Sequence, residues 1–583
     1  MASITNIVVL MLENRSYDNV LGALYLGGTP PAGQSSLNGL TGKETNPDPD
    51  GSGTIAVHST SEPVMLGGSG PGYPPTSLPI VDPGEPFNDM AQQFLSLPAL
   101  PTSNPYESYD PNGPGLMQGF TTNYSAQLSA EQQENVQDIM NYLTPEQLPV
   151  TAFLARNFGV CDQWFASAPS HTFVNRTFAV LAAPAVEKPL LGKPFSYIDD
   201  PQYAGFGGKR IPSTSIYEQL DNIYPNGKGS STAPNWRVYF HDYPITLLAD
   251  TYALDIAISD ANQNVATFDT TDYGGKKPFF LGNLPSGTFA SDVVNGLPMF
   301  SFIEPRYNTQ SSLLSGAAGD LLPNSDHPGL GSISIPGIPS TGGAINMPAD
   351  TTSGELLLMQ VYNLLQQSPN WKTTLFIVTF DEPGGTFDHV PPPCATPPGS
   401  QFPNANDLGD AAADGFSWNV FGGRVPAILI SPMIEQGSTI RASTPFDHTS
   451  IIRTVWEAFN LGSTTSLTAR DAAAPSLVPF CNATNDTGAF SGTIVCAPSG
   501  LVFTATGAAI FSASAGTTGL SASMSDQPSW VTTFTPSWDA ATNQLSVVIG
   551  VDANGISGIV QTSFTVSGAG LASVTVEVTL SVS

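Results

Sequence analysis

Basic residues are scarce in this chain. Only 18 of its 583 residues are Lys or Arg, against 48 Asp and Glu, which gives a formal net charge of −30. Such a chain is repelled by nucleic acid and by anionic membrane surfaces, so functions that depend on a basic patch are excluded. An anionic substrate would have to be bound locally, by a metal ion and a few arginines. Acidic surfaces are typical of soluble exported proteins, and we expect a secreted or periplasmic location.

Long apolar runs are also missing. No segment approaches the ~20 consecutive apolar residues that a membrane-spanning helix requires. The apolar run from Ile7 to Leu12 is shorter than the apolar region of a signal peptide. We therefore expect neither a membrane-spanning segment nor an export signal within this sequence.

Cysteine is sparse, with four residues in the chain. Cys481 and Cys496 lie close enough in sequence to pair, and Cys161 and Cys394 are a second possible pair, as expected for an exported protein. The alternative, four unpaired thiols, stays open because free cysteine is commonly buried.

Glycine and proline, by contrast, are abundant, with 56 and 52 residues, and predict many ordered loops around a compact centre. The length exceeds one ordinary core, so we expect two domains. Uniformly apolar strands and amphipathic helices predict an α/β domain with a parallel sheet over residues 1–490. Short alternating segments predict an all-β sandwich over residues 497–583.

The element predictions can be checked individually. The strands are expected at residues 7–12, 298–303, 375–380, 425–431, 545–551 and 573–583, and the helices at residues 131–143, 172–181, 352–368 and 449–461. Thr352 and Glu355 have the spacing of a capping box at the start of the third helix.

Two apolar strands end in side chains that suit a metal ion. Glu13 and Asn14 follow the first strand, and Asp381 and Glu382 follow the strand at 375–380. Ligands collect at the carboxyl ends of parallel strands, and adjacent buried acids require a cation, so these residues predict one divalent metal site. All-oxygen ligation favours Ca²⁺, Mg²⁺ or Mn²⁺, with Zn²⁺ or iron as alternatives. Exposed loop acids remain the other interpretation, although the doubled glycine that follows permits close approach of a ligand.

A hydroxyl is available near the predicted start of a helix. Thr172 lies in the segment from Pro169 to Arg176, where a helix N-terminus would favour phosphate. Coordination to a metal would lower the pKa of the hydroxyl and make it a nucleophile. Taken alone, Thr172 would instead be an N-cap.

Together these stretches resemble the phosphoesterase family of non-specific phospholipases C and bacterial acid phosphatases, within the alkaline-phosphatase-like superfamily. The resemblance spans about residues 4–480. It is carried by six motifs in family order: residues 13–18 (ENRSYD), 169–176 (PSHTFVNR), 324–328 (NSDHP), 381–390 (DEPGGTFDHV), 423–426 (GRVP) and 447–450 (DHTS). More weakly, Pro528-Ser529-Trp530 and the terminal strand resemble the BACON type of immunoglobulin-like domain.

The resemblance implies a mostly parallel central sheet with helices on both faces, and it implies roles for individual residues. One divalent ion is expected to be held by Glu13, Asn14, Thr172, Asp381 and Glu382. Thr172 is also the expected nucleophile, which becomes transiently phosphorylated.

Further roles concern the phosphate and the leaving group. Asp326 and His327 match a pair that contacts phosphate or protonates the leaving oxygen. Asn175, Glu85 and His389 are the candidates for contact with the substrate, and a structural role for His389, as for His448, stays open.

The sequence departs from the family pattern at two positions. Glu85 stands where a histidine usually follows the Asp-Pro-Gly turn at residues 82–84. An ionised carboxylate there would repel phosphate, so we expect Glu85 to be protonated, paired or metal-bound. Val174 replaces a proline that commonly precedes the Asn-Arg pair, which should loosen the turn.

Three histidines directly follow an aspartate, at positions 327, 389 and 448. Adjacent side chains in extended backbone point to opposite faces, so we expect each histidine to pair with a distant group. His58, His171 and His241 are expected to be ordinary polar histidines.

The function expected from these residues is metal-dependent phosphoester hydrolysis, with cleavage of phospholipid head groups in the manner of a phospholipase C. An acid phosphomonoesterase is the alternative within the same class. A third interpretation is a catalytically weak surface or binding protein, motivated by Glu85 and by a sandwich that could contact carbohydrate or a surface. The expected partner is a phosphoester or phospholipid, not nucleic acid.

Overall fold

The structure, a computed structural model, describes residues 3–68, 70–184, 186–187, 195–196, 198–199, 214–228, 230, 234–242, 244–246, 264–268, 287–309, 319–329, 348–402, 404–405, 412–462 and 466–582. The strands are β1 (Asn6–Leu12), β2 (Thr45–Pro47), β3 (Thr54–Ala56), β4 (Val64–Met65), β5 (Gly72–Tyr73), β6 (Gly159–Val160), β7 (Trp164–Phe165), β8 (Val186–Glu187), β9 (Phe195–Ser196), β10 (Trp236–Phe240), β11 (Val265–Thr267), β12 (Phe300–Glu304), β13 (Asp320–Leu321), β14 (Thr374–Phe380), β15 (Ala427–Ile430), β16 (Phe446–Asp447), β17 (Val495–Ala497), β18 (Gly500–Phe503), β19 (Gly507–Ser514), β20 (Leu520–Ser523), β21 (Val531–Asp539), β22 (Gln544–Val551), β23 (Gly558–Gly568) and β24 (Val574–Val582). The α-helices are α1 (Tyr17–Val20), α2 (Phe87–Leu95), α3 (Phe120–Gln127), α4 (Pro149–Asn157), α5 (Thr172–Leu181), α6 (Ile216–Ile223), α7 (Phe289–Asn295), α8 (Thr351–Leu365), α9 (Thr449–Ala458) and α10 (Ala469–Ala473). Short 3-10 helices cover Leu66–Gly68, Pro75–Ser77, Ala130–Met140, Trp371–Thr373 and Val478–Phe480.

A seven-stranded sheet forms the centre of the larger part of the molecule. Its order is β11-β10-β12-β1-β14-β15-β6, and only β15 runs against its neighbours. The prediction of a mostly parallel sheet in an α/β fold is therefore confirmed. Every residue of β1 and β14 is buried, so both faces of the sheet are covered, as their uniformly apolar sequences predict.

The helix α8 shows how the helices are fixed to one another. It begins one residue earlier than its spacing predicts, and Asp350 caps it by accepting a hydrogen bond from the Thr352 N–H at 3.0 Å. The predicted capping box is therefore wrong. Glu355 instead accepts hydrogen bonds from the N–H groups of Val150 and Thr151, which have no intrahelical partner at the start of α4.

The C-terminal strands form a sandwich of two sheets with a shared apolar core. One sheet has the order β13-β19-β22-β21, with β17 also paired to β19, and the other has the order β18-β24-β23-β20. Phe511 and Phe564, one from each sheet, meet edge to face with their ring centroids 5.1 Å apart. β13 precedes α8 in the chain, so the sandwich incorporates a strand from outside the C-terminal region.

Other sequence predictions differ from the structure in detail. The segment predicted as a helix over residues 131–143 is the 3-10 helix Ala130–Met140, and α9 ends at Ala458. All four cysteines are unpaired, and Cys394 alone among them is exposed. Both suggested disulfides are therefore wrong. Among the helices that the structure describes, none is long and apolar enough to cross a bilayer.

Candidate active site

The two pairs of predicted metal ligands meet at the carboxyl edge of the central sheet. β1 and β14 are adjacent, with Leu12 opposite Phe380, so the residues that follow both strands lie side by side. The Asn14 N–H donates to Asp381 Oδ1 at 3.2 Å. Glu13 and Glu382 are fully buried beside them. The parallel register therefore brings together residues that are more than 360 positions apart in sequence.

The doubled glycine after Glu382 packs against protein rather than against a ligand. Gly384 and Gly385 have φ of 60° and 61°, which favours glycine. A Cβ on Gly384 would lie 1.9 Å from the carbonyl oxygen of Asn14, and a Cβ on Gly385 would lie 2.7 Å from Pro83 Cβ. These two glycines therefore allow two other segments of backbone to approach the turn closely, rather than the ligand that was expected there.

Thr172 is the first residue of α5, and its side chain faces the strand ends. Its hydroxyl donates to Asn14 Oδ1 at 3.3 Å, and the residue is 6% exposed. His171 occupies the N-cap position, so Thr172 is not the N-cap. The hydroxyl is therefore beside a predicted metal ligand at a helix N-terminus, where backbone N–H groups attract anions.

Asn175 supports the turn that leads into α5. Its Oδ1 accepts from the Ala168 N–H at 3.0 Å, and its Nδ2 donates to the Ser170 carbonyl at 2.6 Å. The residue is fully buried. Both ends of the carboxamide are used within the protein, so Asn175 positions this turn. Its predicted contact with substrate stays a prediction.

Arg176 is a site residue to which the sequence gave no role. It follows Thr172 by four positions and so lies on the same side of α5. Its guanidinium pairs with Asp381 Oδ2 at 2.9 Å and with Glu304 Oε2 at 2.7 Å, and all three side chains are fully buried. Glu304 ends β12, next to β1. Glu304 could have been identified by the same sequence signal as Glu13 and Asp381, namely an acid at the end of a buried strand.

Several carboxylate oxygens at the site have no hydrogen-bond partner among the residues that the structure describes. These are both oxygens of Glu13 and Oε1 of Glu382. Burial raises the pKa of Glu13 to about 8, with His327 opposing the shift, and burial followed by the charge of Glu85 raises the pKa of Glu382 well above its usual range. Unpaired buried carboxylates are costly unless a cation neutralises them, so this donor set fits a divalent metal ion.

Glu85, where the family pattern has histidine, contacts both the predicted ligands and the predicted acid. Asn14 Nδ2 donates to Glu85 Oε1 at 2.6 Å, and His327 Nε2 lies 3.8 Å from the same oxygen. Burial and the charge of Asp82 raise the pKa of Glu85 well above its usual range. Glu85 is therefore paired, which is one of the three states expected for it.

His327 lies at the edge of the site between two acids. Its Nδ1 donates to the Pro328 carbonyl at 2.6 Å and lies 3.9 Å from Asp82 Oδ1. Burial lowers the pKa of this imidazole, but the charges of Asp82 and Glu13 raise it, and the net shift is upward. An imidazole that keeps its proton can donate it to an oxygen. Asp82 was not identified as a site residue from the sequence.

The side chain of Asp326 lies away from the site. Its φ of 75° turns the chain, and a Cβ added to Gly354 of α8 would lie 2.1 Å from Asp326 Oδ1. Its backbone carbonyl accepts from Arg15 Nε at 2.8 Å. Adjacent side chains diverge, so turning His327 toward the site turns Asp326 toward α8. The structure does not support the predicted catalytic role of Asp326.

His389 belongs to a separate cluster of charged groups. Its Nδ1 lies 2.6 Å from Asp18 Oδ2, and Arg424 pairs with both Asp18 and Asp388 at 3.0 Å. The cluster therefore ties α1 to the loop after β14. The predicted contact of His389 with substrate stays a prediction.

His448 supports the metal-site acid through the backbone. Its Nε2 donates to the Asp381 carbonyl at 2.6 Å, while its Nδ1 accepts from Trp164 Nε1 at 3.3 Å. His389 and His448 thus bond to groups that are distant in sequence, as predicted. The hydrogen bond of His327 is instead to the carbonyl of the neighbouring Pro328.

The sequence is similar to known proteins over most of its length. The sequence matches the phosphoesterase family over residues 4–462. Non-specific phospholipase C6 of Arabidopsis thaliana is 28% identical, covering 80% of this chain and 70% of the relative. Non-specific phospholipase C3 of the same plant is 29% identical, and the match covers 83% of this chain and 74% of the relative. Phospholipase C A of Mycobacterium tuberculosis is 26% identical, covering 79% and 74%.

The match defines the class of protein. The chain is a phosphoric ester hydrolase. It belongs to the phosphoesterase family, since the match spans most of its length. The solved structure of a 2-O GAG sulfatase aligns with 64% of this chain and 77% of its own at a TM-score of 0.27 and 8% identity, which is too distant to bear on the fold.

Proposed function

We propose that the protein is a metal-dependent phospholipase C, with Thr172 as the nucleophile. The observation that carries the proposal is the contact of the Thr172 hydroxyl with Asn14, beside buried carboxylates of Glu13 and Glu382 that lack hydrogen-bond partners. The names of its relatives support the substrate class.

Five residues would hold the divalent ion: Glu13, Asn14, Thr172, Asp381 and Glu382. The ion would supply positive charge for the phosphoryl oxygens and lower the pKa of the Thr172 hydroxyl. Arg176 and His448 keep Asp381 in place through its carboxylate and its carbonyl. Such supporting contacts commonly orient the groups that bind a metal.

The chemistry proceeds by two displacements at phosphorus. The deprotonated Thr172 oxygen attacks, the bond from phosphorus to the diacylglycerol oxygen breaks, and that oxygen takes a proton from His327. Water then attacks the phosphothreonine and gives its proton to His327. This step releases the phosphorylated head group and restores the threonine. The raised pKa of His327 suits the first of these proton transfers.

Two substrates with the same chromophore test the proposal. Hydrolysis of p-nitrophenyl phosphorylcholine, a diester, should exceed hydrolysis of p-nitrophenyl phosphate, a monoester, and chelation should abolish it. The opposite preference would indicate the phosphomonoesterase. Absence of turnover of both substrates in folded, metal-replete protein would leave the binding role.

A further inference from the structure

The sandwich is attached directly to the segment that carries His327. Asp320 and Leu321 of β13 pair in parallel with Ala509 and Ile510 of β19. Leu322, the next residue, is buried in the core of the sandwich. Five residues further along the chain is His327. Residues 322–329 form no helix or strand, so their position depends on contacts such as these.

A second attachment involves the segment that carries Glu85. Val502 of β18 packs in one apolar cluster with Leu78 and Ile80, a few residues before Glu85. The Gly329 N–H donates to the Pro79 carbonyl at 2.9 Å and joins this segment to the one that carries His327. The sandwich therefore contacts both segments that bring charged groups to the edge of the site.

A third attachment passes through α8. Asp350, which caps this helix, also accepts hydrogen bonds at Oδ2 from the Ser499 N–H at 3.0 Å and from the Ser499 hydroxyl at 2.6 Å. One turn into the helix, Gly354 provides the surface against which Asp326 packs. The turn that orients His327 thus rests on a helix whose start is bonded to the sandwich.

We propose that the C-terminal sandwich positions His327 and Glu85 for protonation of the leaving group. The proposal rests on the proposed function, in which His327 supplies that proton. The sheet sets the positions of Glu13, Asn14, Asp381 and Glu382 through the ends of β1 and β14. The backbone positions of these ligands are therefore set by the sheet, whereas the position of the segment that carries His327 also depends on the sandwich.

This division predicts a dependence on the leaving group. A p-nitrophenolate ion leaves readily without a proton, whereas a diacylglycerol alkoxide needs one. Disturbing the sandwich contact should therefore slow the cleavage of a short-chain phosphatidylcholine far more than the cleavage of p-nitrophenyl phosphorylcholine. General loss of structure would slow both substrates alike.

The test compares two buried valines in the full-length protein. Val502→Ala removes the contact with Leu78 and Ile80, while Val566→Ala makes the same truncation in β23, inside the sandwich core. In the first variant, kcat for the phosphatidylcholine should fall about tenfold or more, with a change of less than about twofold for the p-nitrophenyl ester. In the control variant, the ratio of the two rates should stay at the wild-type value.

Ser499→Ala provides a second test, in which no cavity is created in an apolar cluster. It removes the hydroxyl bond to Asp350 and should shift the ratio of the rates in the same direction by a smaller factor. An unchanged ratio in both Val502→Ala and Ser499→Ala, or the same change in Val566→Ala, would overturn the proposal. Failure of the wild-type protein to hydrolyse either ester would instead reject the proposed function.

Discussion

The Thr172 hydroxyl donates a hydrogen bond to the carboxamide oxygen of Asn14 at 3.3 Å, across 158 residues of sequence. Asn14 also donates to Glu85 through its Nδ2 at 2.6 Å. One carboxamide therefore fixes the direction of the proposed nucleophile and of the carboxylate beside His327. The parts of the site are oriented by each other before a substrate binds, which reduces the reorganisation that catalysis requires.

Removal of the Thr172 hydroxyl should abolish catalysis while leaving the fold intact. Thr172→Ala is expected to lower kcat by about a thousandfold or more, because no other hydroxyl replaces the nucleophile. Thr172→Ser retains a hydroxyl and should keep measurable activity. Steady-state rates, with the melting temperature as a control for folding, measure both effects. Wild-type kcat in Thr172→Ala would exclude the phosphothreonine.

Removal of divalent metal should lower both activity and stability. Glu13 and Glu382 have oxygens without hydrogen-bond partners in a fully buried position, and an ion that binds only the folded state stabilises it by mass action. After treatment with chelator we expect loss of turnover and a lower melting temperature. Both should recover when one equivalent of a suitable ion is added. Full activity in protein shown by elemental analysis to lack metal would contradict the expectation.

Arg176 should be essential for stability because it neutralises two buried acids. Arg176→Met leaves Asp381 and Glu304 without their cation and is expected to cost about 3–5 kcal/mol in the free energy of unfolding. Arg441→Met is the comparison, since the Arg441 side chain is 44% exposed in its pair with the buried Asp162, and solvent around the arginine should make the loss smaller than at the fully buried Arg176. Urea denaturation of the two variants at neutral pH measures the difference. Equal decreases in the free energy of unfolding would show that the burial of Arg176 and its two acids does not increase their contribution to stability.

Glu355 should make stability fall as the pH rises. Burial raises its pKa from 4.5 to about 7, although hydrogen bonds from Thr151 and Val150 oppose the shift. The folded state therefore holds a proton that the unfolded state loses above pH 4.5. The contribution of this proton is complete below pH 4.5 and is lost as the pH rises to about 7, with a change of up to about 3 kcal/mol.

The measurement is the free energy of unfolding of wild type and Glu355→Gln at several pH values. The difference between them should vary with pH across this interval, because glutamine does not titrate. A difference that stays constant between pH 4.5 and 7 would show that Glu355 titrates normally in the folded protein.

Sequence predicts this site best where a single strand end determines a position. Glu13 and Asp381 follow uniformly apolar strands, and the parallel register of those strands brings them together. The sequence does not predict Arg176 as a partner of Asp381, because that pair depends on the packing of α5 against the strand ends. Asp326 was assigned to the site wrongly because the positive φ that turns its side chain to Gly354 has only a weak sequence signal at an aspartate.

The sandwich also contains a strand pairing that the sequence does not predict. Alternating apolar residues predict its C-terminal strands, but the pairing of β13 with β19 joins segments nearly 200 residues apart. Two residues, Asp320 and Leu321, are too few to show strand periodicity. The contact between β13 and β19 is therefore one that only the tertiary structure contains.

The position of β1 has a consequence for biosynthesis. This strand is translated well before its neighbours in the sheet, β12 and β14, which begin at residues 300 and 374. Its apolar side chains cannot be buried in the sheet until these later strands have been translated. Pairing of strands that are so far apart in sequence slows folding. The nascent chain therefore needs protection from aggregation, which makes it a natural client for chaperones.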